Sequence, residues 1–132
     1  VYLSYGIHSL LNAVAEPEGS AAAVLIRALE PRWRIEEMRR RRAAGRADSA
    51  ALALRDLCSG PGKLTEAVGV GLASNGASLS EPPFELRGRS GEWRAVEIAT
   101  GPRIGINRAT ELPWRFCAAG NGFLSHPLAR AA

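Results

Sequence analysis

The sequence predicts an α+β fold, in which a single compact domain combines a mostly antiparallel, curved sheet with a protruding β-hairpin and flanking helices. Three observations lead to this class: strand-like alternation at the N-terminus, a helical charge pattern from Trp33 onward, and short apolar runs near the C-terminus between Gly- and Pro-rich connections. The length of 132 residues suits one domain, and a hydrophobic content of 46% supplies enough apolar side chains for one core.

The first fourteen residues, VYLSYGIHSLLNAV, predict a β-hairpin. Val1, Leu3 and Tyr5 would share one face of the first strand. Gly6 would permit the turn into a second strand over residues 8–14. Because the strand pattern is present at the first residue and no initiator methionine precedes it, we expect the chain to be a fragment of a longer protein.

Residues 21–29, AAAVLIRAL, predict a buried strand that follows a turn at residues 16–20 and ends at Pro31. Arg27 is the one charged residue in this apolar run. Because the burial of an unpaired guanidinium group is costly, we expect Arg27 to have a partner or a functional role.

A helix is predicted from Trp33, since Glu36 and Glu37 precede Arg40 and Arg41 at the four-residue spacing that stabilises an exposed helical surface. Sixteen of the 17 basic residues are arginine, and residues 27–55 contain nine arginines against four acidic residues. Such a segment could follow the phosphates of a polyanion, but a solvated face with internal ion pairs would have the same composition.

The remaining elements follow from shorter signals. We predict a second helix over residues 48–57, a third from GPGKL at 60–64 through Val68, and a turn-rich stretch over 73–83. Further strands are predicted at residues 83–87, 93–99 and 113–119, with GPRIGIN at 101–107 as an ordered loop.

The cysteines and histidines exclude several kinds of chemistry. Cys58 and Cys117 are too few for a disulfide framework or a four-thiolate metal site, and only His8 and His126 could join them as ligands. No Ser-His-Asp or Cys-His grouping has a catalytic spacing. We therefore expect no metal and a reducing compartment. The apolar runs are also far shorter than the roughly 20 residues of a membrane span, so no membrane association is expected.

Three features near the hairpin and in GPGK each have two interpretations. The glycines and Lys63 of GPGK could hold a phosphate at a helix N-terminus or could simply start the helix. Tyr2 and Tyr5 could cover a core or stack on bases. The Asn12 amide needs a backbone partner or a ligand edge, and His8 could be an ordinary surface residue.

Five sequence blocks carry a resemblance to a known family. In order they are VYLSYGIHSLLNAV, AVLIRALEP, LCSGPGKLTEAVGV, GPRIGIN and PWRFCAAGN. They resemble the alkyladenine (3-methyladenine) DNA glycosylase family over residues 1 to 121. The resemblance implies an enzyme without cofactors that flips 3-methyladenine, 7-methylguanine or hypoxanthine out of double-stranded DNA and hydrolyses the N-glycosidic bond. It implies base excision repair in the bacterial cytoplasm, in association with the nucleoid, and a monomer when full length.

The resemblance also implies roles for individual residues. Tyr5 would fill the gap that the flipped nucleotide leaves, Tyr2 would stack on the extruded base, and Asn12 would oppose the exocyclic amino group of normal guanine. Arg27 would position the attacking water and the lesion's phosphate, and the main-chain carbonyl of Ile104 would hold the same water.

Four further residues match the family less specifically. Leu25 would line the substrate pocket, while Ile7 and His8 would lie near the DNA. Lys63 would reach a DNA phosphate.

The family's general base is a glutamate in an E-x-Y motif upstream of the hairpin, accompanied by a stacking tyrosine and a histidine, and no residue here corresponds to them. We therefore expect residues 1–132 to form the C-terminal part of a glycosylase domain that is inactive alone. Two alternatives stay open. The chain could be a nucleic-acid-binding module without chemistry, or a formyltransferase-like C-terminal domain.

Overall fold

The α+β class is confirmed by a computed structural model that describes residues 1–44 and 52–128. These parts of the chain contain two α-helices, α1 (Ile35–Ala43) and α2 (Pro61–Val68). They also contain six strands: β1 (Tyr2–Ser4), β2 (His8–Leu10), β3 (Asn12–Val14), β4 (Ala23–Leu25), β5 (Ile98–Gly101) and β6 (Arg115–Ala118). Short 3₁₀ helices cover Leu54–Asp56, Leu72–Ser74 and Gly91–Arg94. No helix in the described residues is both long enough and apolar enough to cross a bilayer.

The strands are antiparallel, as predicted, but they form three separate pairs instead of one curved sheet. The pairs are β1–β2, β3–β4 and β5–β6. In their registers Leu3 faces Ser9 and Asn12 faces Leu25. The predicted strand over residues 8–14 is divided at Leu11, because the residues before Leu11 pair with β1 and those after it pair with β4.

The predicted hairpin is confirmed, but Tyr5 lies in its turn and not in its first strand. Ile7 donates its N–H to the Ser4 carbonyl at 3.2 Å, and the two residues between them have positive φ angles, 51° at Tyr5 and 71° at Gly6. Two central residues with positive φ are typical of a type I′ turn, whose twist matches that of the strands. Tyr5 therefore does not share a strand face with Leu3.

The prediction of a buried strand over residues 21–29 is wrong in length and in burial. Only Ala23–Leu25 forms a strand, and Ala23 and Val24 are exposed. β4 pairs with β3 alone within the described residues, so its second edge has no strand against it. Arg27 consequently lies beyond the strand, where it is half-buried.

The best-buried core lies between the two helices. Leu57, Cys58, Leu64 and Ala67 are buried together, and Ile35 and Met38 of α1 pack against them with other apolar side chains. α1 begins at Ile35, two residues after the predicted start. The buried guanidinium of Arg42 forms an ion pair with Glu66 of α2, which ties the helices together.

The charge pairs on α1 agree with the predicted spacing in one case out of two. Glu37 pairs with Arg41 four residues later, as predicted. Glu36 pairs with Arg39 instead of Arg40. These exposed or half-buried pairs show that several arginines at and on this helix form ion pairs with its own glutamates.

The structure differs from the elements predicted over residues 48–57, 83–87 and 93–99. Of the predicted helix over residues 48–57, positions 48–51 lie outside the described residues, and Leu54–Asp56 is a 3₁₀ turn. Residues 83–87 form no strand. Over residues 93–99 the chain first completes the 3₁₀ helix Gly91–Arg94, whose end is bonded by the Arg89 guanidinium, and β5 starts only at Ile98. Helix α2 and strand β6 confirm the predictions for residues 60–68 and 113–119.

Candidate functional site

The tip of the β1–β2 hairpin presents apolar and aromatic side chains to solvent. Tyr5 is 94% exposed and Ile7 is 73% exposed, and His8 is also exposed. Tyr2, on the first strand, is 49% exposed. The exposure of Tyr5 shows that its ring is not part of a core formed by the described residues. An exposed aromatic ring at the tip of a ribbon is suited to stacking against another flat group.

The base of the hairpin is fastened to helix α2. The Thr65 hydroxyl lies 2.6 Å from the Ser9 carbonyl oxygen, to which it can donate. A Cβ atom placed on Gly62 would lie only 3.3 Å from Nδ1 of His8, so the imidazole packs directly on the first turn of the helix. The hairpin is therefore held at a fixed position on α2.

The structure places Lys63 and His8 at this junction. Lys63 is exposed in the first turn of α2, and its Nζ lies 3.5 Å from the Ser59 hydroxyl oxygen. The first turn of α2 contains no acidic residue, so its free N–H groups and helix dipole keep their positive character. The GPGK segment both starts the helix and leaves a cation at the surface.

A second region is a cleft of about 880 Å³. It is lined by strand β4 and the residues after it, by the loop that contains Ile104, and by strand β6. Three predicted site residues, Leu25, Arg27 and Ile104, line it together. The other predicted site residues, which lie outside the lining, are Tyr2, Tyr5, Ile7, His8, Asn12 and Lys63.

Asn12 lies between the hairpin and the cleft. It is half-buried, it faces Leu25 across the β3–β4 pair, and its Nδ2 donates to the Leu10 carbonyl at 3.4 Å. This backbone bond satisfies part of the hydrogen-bonding capacity of the amide. Asn12 is thus next to a residue that lines the cleft, while Tyr2 lies on the hairpin opposite Leu10.

Arg27 has an unsatisfied donor in the cleft. Its Nε is buried and has no hydrogen-bond partner among residues 1–44 and 52–128. Its guanidinium also has no acidic partner within those ranges. A buried cationic donor without a partner is costly, so the site is suited to an anion.

Sequence reasoning missed Arg103 and Trp114, which line the same cleft. The Arg103 guanidinium lies over the Trp114 ring, with Cζ 5.5 Å from the ring centroid. Its Nη2 donates to the Arg108 carbonyl at 3.0 Å. The signal was available in GPRIGIN, where the resemblance assigned a role to Ile104 but none to the arginine before it.

The Arg32 guanidinium and the Cys58 thiol have perturbed pKa values that structural contacts explain without a catalytic role. Hydrogen bonds from Arg32 to Glu92 and Glu30 raise the pKa of the Arg32 guanidinium. Glu30, the acidic residue of the cleft lining, is therefore already paired. Burial raises the pKa of the Cys58 thiol, which disfavours a thiolate nucleophile. Within the described residues no group of three or more His, Cys, Asp or Glu side chains could hold a metal ion.

An exposed aromatic ribbon, a cationic helix start and an arginine-lined cleft are features of α+β proteins that bind nucleic acids. Residues 1–122 match the model of the methylpurine-DNA glycosylase (MPG) family. The chain belongs to this family, which confirms the resemblance found in the sequence.

Similar proteins occur in several organisms. A relative from Rhodopseudomonas palustris strain HaA2 is 53% identical over 127 residues, which are 96% of this chain and 58% of the relative. A relative from strain BisB18 is 55% identical over 129 residues, or 98% of this chain and 60% of the relative. One from Bradyrhizobium diazoefficiens is 54% identical over 130 residues, with 96% and 58% covered. All three carry the name 3-methyladenine DNA glycosylase as a provisional assignment. The chain spans about three fifths of the length of these relatives.

Proposed function

We propose that this chain is the lesion-recognition part of a purine DNA glycosylase of base excision repair. The enzyme extrudes 3-methyladenine, 7-methylguanine or hypoxanthine from duplex DNA and hydrolyses the N-glycosidic bond. It works as a monomer on chromosomal DNA in the cytoplasm. The observation that carries the proposal is the 94% exposure of Tyr5 at the tip of a hairpin in a chain of this family.

Tyr5 fills the gap in the base stack when the purine leaves it. Unstacking a nucleotide costs a few kcal/mol, and least for a damaged base, so a ring that replaces the lost stacking favours the extruded state of a lesion. The tight turn and the hydrogen bond between Thr65 and Ser9 hold the hairpin backbone that carries Tyr5 against α2. Ile7 and His8 then meet the DNA beside the gap, and Lys63 meets a phosphate.

The extruded base is selected by Tyr2 and Asn12. Tyr2 stacks on the purine, and an alkylated purine carries a positive charge that the aromatic face attracts. Asn12, beside Leu25, opposes the exocyclic amino group of guanine, so a normal guanine leaves polar groups unpaired.

Arg27 and the Ile104 carbonyl position the water that attacks the sugar. The sugar develops positive charge as the N-glycosidic bond breaks, and the nearby phosphate and a carboxylate stabilise this charge. The carboxylate also removes a proton from the water. Because no residue of this chain matches the E-x-Y glutamate, the chain alone binds the lesion without cleaving the bond.

The binding test compares a duplex that contains one hypoxanthine with the undamaged duplex. Stacking of one base on an aromatic ring is worth about 1–3 kcal/mol, so Tyr5→Ala should weaken hypoxanthine-duplex binding by about tenfold and undamaged binding by less than about twofold. Trp33→Ala is the matched control, since Trp33 is an exposed aromatic residue outside the hairpin, 76% exposed. Equal losses on both duplexes with Tyr5→Ala would overturn the role of Tyr5.

The unmatched general base favours a second candidate, a nucleic-acid-binding module without chemistry. The two candidates differ in what they predict for the hypoxanthine duplex. A module has no preference for the lesion, whereas the glycosylase part prefers it. Formation of abasic sites by the chain alone, measured by alkaline cleavage of the duplex, would exclude the module and would contradict the expectation that the chain lacks a general base.

A further inference from the structure

We propose that Arg27 and Arg103 together form a binding site for one phosphodiester group of the nucleic-acid backbone, in the cleft between β4 and β6. The inference rests on the proposed function, and it adds a residue, Arg103, for which neither the sequence motifs nor the relatives provide a role. Each arginine binds one of the two non-bridging oxygens of the phosphate.

The first evidence is a pair of unsatisfied donors. Arg27 and Arg103 are both half-buried and both line the cleft. In each of them Nε is buried and lacks a hydrogen-bond partner in the described parts of the chain. A cationic N–H group that has lost water without gaining an acceptor is costly, so two in one cleft indicate a missing ligand with acceptor atoms.

The second evidence is the charge balance of the cleft. Arg32 is paired with Glu30 and Glu92. Arg115 donates its guanidinium N–H groups to the carbonyls of His126 and Pro127. Arg27 and Arg103 have no acidic partner in residues 1–44 and 52–128. The cleft therefore has an excess of positive charge, and the missing ligand is an anion.

The third evidence is the fixed position of Arg103. Its guanidinium is held from one side by the Trp114 ring at 5.5 Å and from another by the Arg108 carbonyl, 3.0 Å from Nη2. These contacts use a face and one end of the guanidinium, and the buried Nε–H has no partner among the described residues. Because the group is already ordered, little side-chain entropy is lost when it binds.

A phosphate at this place has a consequence for the reaction. Ile104 follows Arg103 directly and lines the same cleft. The anion would therefore lie close to the carbonyl that holds the water in the proposed reaction, where it would stabilise positive charge on the sugar. Arg103 is thus a binding residue for the phosphate and a positioning residue for the loop of Ile104.

The test observes the two Nε–H groups directly by ¹H–¹⁵N spectroscopy of the chain at slightly acidic pH. The signals are assigned from their loss in Arg27→Gln and Arg103→Gln, and Arg103→Lys replaces the latter if the glutamine variant does not fold. Addition of an undamaged duplex should shift both signals, and inorganic phosphate should shift both at higher concentration. A titration with sodium chloride at equal ionic strength is the control. A phosphate shift without a duplex shift would overturn the assignment to the nucleic-acid backbone, and no shift of Arg103 with either would overturn the site.

Affinity for the undamaged duplex provides the second measurement. Arg27→Gln and Arg103→Gln should each weaken binding about tenfold, and the double variant should lose much less than about a hundredfold because both residues act on one phosphate. Arg108→Gln, an exposed arginine on the same loop, should change affinity less than about twofold. Fully additive losses would contradict a shared phosphate.

The lesion preference and the Nε–H signals together distinguish a failure of this site from a failure of the proposed function. If the chain shows no preference for the hypoxanthine duplex but both Nε–H signals shift, the glycosylase proposal fails and the phosphate site stands. If the preference is present and the Arg103 signal does not move, the phosphate site alone fails.

Discussion

The hairpin with α2 and the cleft between β4 and β6 differ in two respects. They differ in whether their polar groups have partners within the described residues and in whether their apolar side chains are buried. At the hairpin the turn is hydrogen-bonded, the base is fastened through Thr65, and the adjoining core is fully buried. In the cleft two arginines have unsatisfied Nε–H groups, and apolar side chains such as Phe116 are exposed. The hairpin is therefore fixed by contacts within the described residues, whereas the cleft keeps two guanidinium N–H groups without partners there.

The largest difference between the regions should appear in stability. Leu64→Ala should lower the free energy of unfolding by about 3 kcal/mol, within the usual cost for a buried leucine, because this side chain has no exposed surface. Phe116→Ala in the cleft is the control and should cost about 0.5 kcal/mol or less, since Phe116 is 66% exposed. Urea unfolding followed by circular dichroism measures both. Equal losses would mean that the cleft is as tightly packed as the helical core.

A smaller loss of stability is expected when the hydrogen bond that attaches the hairpin to α2 is removed. Thr65→Val keeps the shape of the side chain but removes the donor to Ser9, at a cost of about 1 kcal/mol. Thr65→Ser should retain most of the stability. Amide hydrogen exchange in β1 and β2 should accelerate only in the valine variant. Unchanged exchange there would show that the hydroxyl does not hold the hairpin.

Much of the hairpin could be predicted from the sequence, but little of the cleft could. The alternation around Gly6 and the Gly-Pro-Gly helix start are local signals, and the structure has a hairpin and a helix at these places, although Tyr5 lies in the turn. The limits of β4 could not be predicted, because they depend on which strand lies against it. Arg103 could not be assigned either, since its importance depends on contact with Trp114, eleven residues later in the chain.

Tyr5 itself should show a conflict between stability and binding. Its φ of 51° is unfavourable for a non-glycine residue, whereas Asn-Gly is the preferred pair for this turn. Tyr5→Asn should therefore raise the free energy of unfolding by about 0.5 kcal/mol while abolishing the preference for the hypoxanthine duplex. Ile7→Asn, at another exposed position of the hairpin and without a positive φ, should not stabilise the fold. Loss of stability in Tyr5→Asn would show that the ring makes contacts that support the hairpin.

The smallest effect at neutral pH concerns the two cysteines, one from each region. Burial raises the pKa of the Cys58 thiol in the folded state. The stability that this shift contributes is complete below the unfolded pKa of about 8.5 and is lost as pH rises through the folded pKa. Cys58→Ala should remove this alkaline decline, and Cys117→Ala, in the cleft, should retain it. An identical decline in both variants would contradict the assignment to Cys58.

The most direct test of the central claim places 2-aminopurine beside a hypoxanthine in a duplex. Fluorescence of this base rises when its neighbour leaves the stack, so it reports extrusion without any bond cleavage. The wild-type chain should raise the fluorescence, and Tyr5→Ala should leave it near the value of free duplex. No rise with the wild-type chain, or an equal rise with Tyr5→Ala, would contradict extrusion by the hairpin.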